Sequence, residues 1–101
     1  YDYPYLGVTG LPEITLAIQE ELGLSQTDGV YVTFVEAAGP AGAAGIRQGD
    51  LLTAVDGDPI RVFGDMIGYL FNNKGPGDSV VFDVLRGGRQ IQVTVELGER
   101  P

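Results

Sequence analysis

The 101 residues are enough for one domain, and the 44% of hydrophobic residues can supply one modest core. A formal net charge of -8 leaves no basic stripe for nucleic acid and disfavours an anionic membrane surface, so we interpret the charge as a source of solubility. The chain has no cysteine for a disulfide, no apolar run of membrane-spanning length and no segment that resembles a signal peptide. The abrupt ends lead us to expect a single domain over residues 1–101, cut from a longer protein.

The first third of the chain predicts a strand, a helix and a second strand. A glycine inside the apolar run Tyr5 to Thr9 indicates a bulge or close backbone approach. A helix held by packing is expected next, with Pro12 in its first turn and Gly23 at its end. Its proposed apolar face consists of Leu11, Ile14, Ile18 and Leu22. The β-branched and aromatic run Val30 to Val35 then predicts a strand.

The rest of the chain predicts short elements separated by glycine-rich turns. One helical turn is expected over Ala41 to Gly45, a buried strand over Leu51 to Val55, and a second long helix over Arg61 to Asn73. Two alternating runs joined by Gly87-Gly88 predict a hairpin. The fold class is therefore α+β and mainly β, with five or six strands in a partly open barrel or sandwich capped by two helices.

Several chemistries are excluded by the residue types. The sequence contains no histidine and no cysteine, so it cannot build a Ser-His-Asp triad and lacks the usual zinc ligands. Asp56-Gly57-Asp58 resembles part of a calcium loop, but the remaining ligands are missing and a turn is predicted. The glycines of residues 42–45 lack dinucleotide spacing and the lysine of a phosphate loop. We expect no catalysis by this chain alone and no cofactor.

Several motifs, in this order, resemble the central signature of PDZ domains. They are Ala44-Gly45-Ile46, Gly49-Asp50-Leu51-Leu52, Val55-Asp56-Gly57, Pro59-Ile60 and the block from Gly77-Asp78 to Leu85-Arg86-Gly87-Gly88. Tyr5-Leu6-Gly7-Val8 resembles the carboxylate-binding loop of the circularly permuted bacterial type. The combination looks most like the PDZ domains of HtrA/Deg trypsin-like serine proteases; those of site-2 proteases, tail-specific proteases and secretion-system proteins are the alternatives.

The resemblance implies a module that binds C-terminal or extended hydrophobic peptide segments by β-strand addition. It implies a serine endopeptidase as the parent protein, an extracytoplasmic location, and two kinds of partner: unfolded or C-terminal peptides, and the protease domain of the same chain. No nucleic-acid partner and no direct membrane insertion are expected. A different class of function stays open, namely a structural spacer or oligomer-contact domain whose groove is filled by its own opening helix.

The residues themselves support a site for a chain end. Backbone N–H groups of a loop entering a strand can form an anion nest, and a terminal carboxylate suits it. The following strand, residues 8–10, can pair with an incoming peptide. The expected peptide-binding residues are Tyr5, Leu6, Gly7, Val8, Thr9, Phe63, Ile67 and Leu70.

The shared helical face of Phe63, Ile67 and Leu70 suggests that Leu70→Lys removes binding from a folded domain. Simpler interpretations remain: Leu6 and Val8 can be core, Ile67 and Leu70 can face the sheet, and Gly7 can be a bulge glycine. Met66 is expected to fill the core. Arg61 and Lys74 could assist in binding the carboxylate, but we expect their charges to be solvated.

Overall fold

The computed structural model describes residues 4–11, 13–24 and 26–99, and they form three helices and eight short strands. The elements in chain order are β1 (Pro4–Tyr5), β2 (Val8–Gly10), α1 (Leu16–Leu22), β3 (Val30–Val35), α2 (Pro40–Ala44), β4 (Leu51–Val55), β5 (Asp58–Pro59), α3 (Phe63–Asn73), β6 (Ser79–Arg86), β7 (Arg89–Glu96) and β8 (Gly98–Glu99).

The main sheet has six antiparallel strands and does not close on itself. Its strand order is β2-β3-β4-β6-β7, and β5 also pairs with β4. The terminal strands β1 and β8 form a separate two-stranded ribbon. The predicted mainly β class with a partly open sheet is confirmed.

The β6–β7 hairpin supplies much of the core. All eight residues of β6 pair in register with β7, and the two-residue turn Gly87-Gly88 has φ values of 58° and 81°. Positive φ at both positions is the type I′ geometry, which matches the twist of paired strands and suits glycine. The inward side chains of the hairpin are Val80, Phe82, Val84, Val93 and Val95, and all are buried.

The structure corrects the prediction for the first helix. α1 begins at Leu16 because the hydroxyl of Thr15 accepts a hydrogen bond from the N–H of Ile18 (3.2 Å), which caps the helix there. Ile14 is buried but precedes the helix, whereas no residue of α1 is buried and Leu22 is 41% exposed. The expected packed face therefore does not form. Gly23 ends the helix as predicted, and Pro12 lies outside the described residues.

A partly buried ion pair connects the end of α2 to the β6–β7 hairpin. Asp50 is 2% exposed, and its carboxylate accepts hydrogen bonds from Arg86 Nε (2.9 Å), Arg86 Nη2 (2.7 Å) and the N–H of Arg47 (2.9 Å). Arg86 Nη2 also donates to the carbonyl of Gly45 (2.7 Å), the residue that ends α2. The hydrogen bond to Asp50 raises the pKa of Arg86. This planar, two-pronged contact fixes the position of α2 relative to the sheet.

Candidate functional site

The open edge of the sheet lies along β2, which has β3 as its one strand partner among the described residues. The N–H of Glu36 donates to the carbonyl of Gly7 (2.9 Å), just outside the Val8–Val35 pair. A pair flanked in this way is the non-hydrogen-bonded kind in an antiparallel ladder. The main-chain N–H and C=O groups of Val8 therefore point away from β3, towards the free edge.

The same geometry recurs at the other end of β2. The N–H of Leu11 donates to the carbonyl of Tyr31 (3.1 Å), next to the Gly10–Val32 pair, and a β-bulge separates this pair from the preceding one. The polar main-chain groups of Gly10 thus also face the free edge. An added strand would find hydrogen-bonding positions at Val8 and Gly10, two residues apart.

The loop between β1 and β2 is held by its carbonyl groups. The carbonyl of Leu6 accepts from the N–H of Ala41 (3.0 Å) and that of Gly7 accepts from the N–H of Glu36 (2.9 Å). In a trans peptide the N–H points opposite to the carbonyl of the preceding residue. The N–H groups of Gly7 and Val8 consequently point away from these anchors, and the φ of 80° at Gly7 is one that glycine adopts without strain. Two successive donors are thus available to an anion at the start of β2.

The predicted apolar residues are brought together around one cluster, but to different depths. Leu6 and Leu70 belong to the buried core, whereas Val8, Phe63 and Ile67 are partly buried and pack against it. A ligand side chain would meet the partly exposed set, with the two leucines beneath. Met66 is fully buried, which confirms its predicted core role.

The position of Leu70 corrects one expectation. Its side chain is 2% exposed and packs in the core, so a lysine at this position would bury a charge without a partner. Leu70→Lys is therefore expected to unfold the domain rather than to leave it folded. The phase of α3 places Leu70 beside Met66 on the core side, and Phe63 and Ile67 at its margin.

Thr9 lies on the opposite face of β2. Its side chain is exposed, its cross-strand partner is Phe34, and its carbonyl accepts from the hydroxyl of Thr33 (3.1 Å). Phe34 is 59% exposed, so an apolar surface accompanies Thr9 on the outer face. Sequence reasoning missed Phe34 because an outward residue of a strand gives no distinctive signal. The backbone of Tyr5 pairs with Gly98, while its side chain lies outside what the structure describes.

Gly10 was included in the strand expected to pair with a peptide, but its close approach to α3 was missed, although a glycine inside a strand is a signal of close approach. A Cβ atom at this position would lie 2.6 Å from Val30 Cγ1, 3.1 Å from the carbonyl oxygen of Tyr31 and 3.3 Å from Phe63 Cδ2. The absence of a side chain thus lets the first turn of α3 approach the end of β2. Gly10 and Phe63 fix the end of the groove that lies away from the loop.

The basic residues near the site do not converge on the loop. Lys74 Nζ forms an ion pair with Asp56 Oδ2 (3.1 Å), and Arg61 is exposed. Within residues 4–11, 13–24 and 26–99, no group of acidic side chains is arranged to hold a metal ion. None of the described helices has the length and apolar character that crossing a membrane requires.

The fold and the loop geometry can be compared with known proteins. Residues 5–97 match the family model described as PDZ domain. A curated relative, a probable periplasmic serine endoprotease DegP-like from Rhizobium meliloti, is 34% identical over 96% of this chain and 19% of its own length. The serine protease Do-like HtrA of Lactobacillus helveticus is 34% identical over 93% of this chain and 24% of its own length. The chain thus spans about a fifth to a quarter of these relatives.

Solved structures give the same result. The structure described as HtrA-type protease AlgW with decapeptide superposes with a TM-score of 0.87 at 30% identity, covering 99% of this chain and 30% of that one. The HtrA3 PDZ domain bound to a phage-derived ligand, FGRWV, has a TM-score of 0.83 at 20% identity and covers 99% of this chain and 89% of its own, a likeness of fold. With its fold, its loop and the match over residues 5–97, the chain belongs to the PDZ domain family.

Proposed function

We propose that this chain is the peptide-binding PDZ domain of an HtrA-like serine protease and that it binds C-terminal or extended hydrophobic segments by strand addition to β2. The observation that carries the proposal is the free edge of β2, where Val8 and Gly10 direct their main-chain polar groups away from β3. Main-chain hydrogen bonds give such a complex its affinity, and side-chain pockets give it specificity.

The loop sets the direction of the ligand. A terminal carboxylate held by the N–H groups of Gly7 and Val8 lies at the start of β2, so the peptide runs antiparallel to that strand. The last residue of the peptide then forms a main-chain hydrogen bond with Val8, and the residue two positions earlier forms main-chain hydrogen bonds with Gly10. The last side chain falls over Val8 and Ile67, with Leu6 and Leu70 beneath. The penultimate side chain falls on the outer face, beside Thr9 and Phe34.

The relatives support the proposed parent protein. The two named above are described as a probable periplasmic serine endoprotease and as a serine protease, and this chain spans a minor part of each. We infer that residues 1–101 are a single PDZ domain of an extracytoplasmic protease, with the protease domain of the same chain as a partner. The sequence has no histidine, so a triad must come from outside it. The domain would deliver substrates or regulate the protease.

A spacer with an occupied groove is less well supported. No described strand besides β3 pairs with β2, and α1 buries none of its residues. A helix that filled the groove of its own chain would bury an apolar face there.

Calorimetry with the pentapeptide FGRWV and its C-terminal amide tests the proposal. We expect roughly micromolar affinity for the free acid, and a loss of about 1–3 kcal/mol for the amide because the loop donors lose a charged acceptor. Equal affinities would rule out recognition of the chain end.

N-methylated peptides test strand addition separately. Methylation of the last residue's N–H removes the bond to Val8, and we expect binding to be weakened. Methylation of the penultimate N–H is the matched control, because that group points away from β2 and is expected to tolerate the methyl. The same loss at both positions, or at neither, would contradict the strand-addition geometry.

A further inference from the structure

One carboxylate connects three separate elements behind the groove. Asp56 opens the β4–β5 turn, with a φ of 49° that makes it the one non-glycine residue of positive φ in the described chain. Its Oδ1 accepts from the N–H of Val81 in β6 (2.8 Å), and its Oδ2 accepts from the hydroxyl of Tyr69 (2.7 Å) and pairs with Lys74 Nζ (3.1 Å). Its own N–H donates to the carbonyl of Val81 (2.7 Å).

Two of these partners belong to the helix that forms the wall of the groove. Tyr69 lies in the second half of α3, and Lys74 is the residue that ends it. Between them Leu70 packs in the core, and one turn earlier Ile67 lies at the groove margin. The first turn of α3 is located independently by the close approach of Phe63 to Gly10. Tyr69 and Lys74 thus attach the second half of α3 to the sheet through Asp56.

The surroundings keep this carboxylate charged. Burial opposes ionisation, but the hydrogen bonds from Val81, Tyr69 and Lys74 outweigh it and lower the pKa of Asp56. The reciprocal hydrogen bond raises the pKa of Tyr69, to which the charge of Asp58 also contributes. Tyr69 thus stays a donor and Asp56 an acceptor in neutral solution.

We propose that Asp56 is a positioning residue of the peptide groove: by holding Tyr69 and Lys74, it fixes the second half of α3 and so sets the space for the last side chain of the ligand. This inference rests on the proposed peptide-binding function. In the proposed peptide geometry Asp56 does not contact the ligand, and it acts through the placement of Ile67 and Leu70 relative to Leu6 and Val8. Loosening the attachment is expected to change which last residue is preferred more than it changes main-chain binding.

The test compares Asp56→Asn with Asp58→Asn. Both changes remove one negative charge from the same β4–β5 hairpin, but the contacts to Val81, Tyr69 and Lys74 are made by Asp56 and not by Asp58. Asparagine also tolerates the positive φ of position 56. Tyr69→Phe is a second variant that removes one donor and leaves the turn intact. Circular dichroism first establishes that each variant is folded.

Backbone amide NMR of the free domain gives a readout that needs no ligand. For Asp56→Asn and Tyr69→Phe we expect shift changes that reach Ile67 and continue across the groove to Leu6 and Val8. Changes in Asp58→Asn are expected to be confined to its own turn and to Tyr69, on which the charge of Asp58 acts. If the Asp56→Asn and Tyr69→Phe changes are confined to the immediate partners of Asp56, the positioning role is overturned.

Calorimetry then uses FGRWV and the same peptide ending in phenylalanine. We expect the ratio of the two affinities to change by about two- to fivefold in Asp56→Asn and Tyr69→Phe, the scale of a half-exposed ion pair, and to stay constant in Asp58→Asn. An unchanged ratio in folded variants overturns the role in ligand selection. A wild-type domain that binds neither peptide would instead overturn the proposed function, and with it any role of Asp56 in selecting ligands.

Discussion

Replacing Gly10 by alanine tests how closely α3 approaches the sheet edge. The added Cβ would lie 2.6 Å from Val30 Cγ1, inside any normal contact distance, with the carbonyl oxygen of Tyr31 at 3.1 Å and Phe63 at 3.3 Å. Val30 is fully buried and cannot move towards solvent. Overpacking of this kind costs about 1–3 kcal/mol, partly offset by about 0.5–1 kcal/mol from the reduced freedom of the unfolded chain. These figures leave a net loss of about 0–2.5 kcal/mol, and because the 2.6 Å contact is with a buried side chain we expect the upper half of this range, about 1–2 kcal/mol.

Urea denaturation gives the measurement, with the midpoint lowered and the slope unchanged. Gly64→Ala is the matched control, since a Cβ there meets open space on α3 and is expected to stabilise the domain by up to about 1 kcal/mol. Combining Gly10→Ala with Val30→Ala should remove the clash and reveal a coupling on the order of 1 kcal/mol. A Gly10→Ala domain as stable as the wild type would refute the close approach, and with it the location of this end of the groove.

Three further outcomes are expected. Leu70→Lys should abolish the cooperative thermal transition, whereas Ile67→Lys should stay folded and lose affinity for FGRWV, because its side chain lies at the groove margin; the reverse pattern would mean that the phase of α3 is wrong. Arg86→Met should cost about 3 kcal/mol in urea denaturation, because the buried carboxylate of Asp50 would lose its cationic partner and keep only the N–H of Arg47, and a loss below about 1 kcal/mol would contradict this. Because the pKa of Asp56 is lowered, the ionised carboxylate contributes fully to the stability of the fold above the ordinary pKa of 3.8, and this contribution is lost as the pH falls through the lowered pKa. An NMR titration of the Asp56 carboxyl carbon with a midpoint above 3.8 would contradict this.

Much of the sheet could be predicted from local pattern. The strands Val30–Val35 and Leu51–Val55 were predicted with the bounds that the structure has. The hairpin followed from strict alternation around Gly87-Gly88, because both signals come from residues close in sequence. The loop at Leu6 and Gly7 was suggested by a resemblance and by one glycine, and the direction of its N–H groups needed the structure.

Other features depend on contacts that no local pattern contains. α3 has a continuous apolar surface that serves both the core and the groove margin, so helical spacing alone did not separate Leu70 from Ile67. The helix α1 begins after Thr15, whose hydroxyl caps it, and not at Pro12, which the sequence pattern had suggested for the first turn. The polar cluster at Asp56 joins residues 13 and 25 positions away, and a turn prediction gives no hint of these partners.

The small ribbon of β1 and β8 has a mechanical consequence. Pro4 pairs with Glu99 and Tyr5 with Gly98, so the two strands leave the domain at the same side. A force that pulls the outer ends of β1 and β8 apart would break the two residue pairs of the ribbon one after the other. It would act on the eight pairs of the β6–β7 ladder only afterwards. Tyr5 leads directly into Leu6 and Gly7, so the loop would be the next segment under tension. Ligand affinity measured in an optical trap should therefore fall at forces that leave the six-stranded sheet intact.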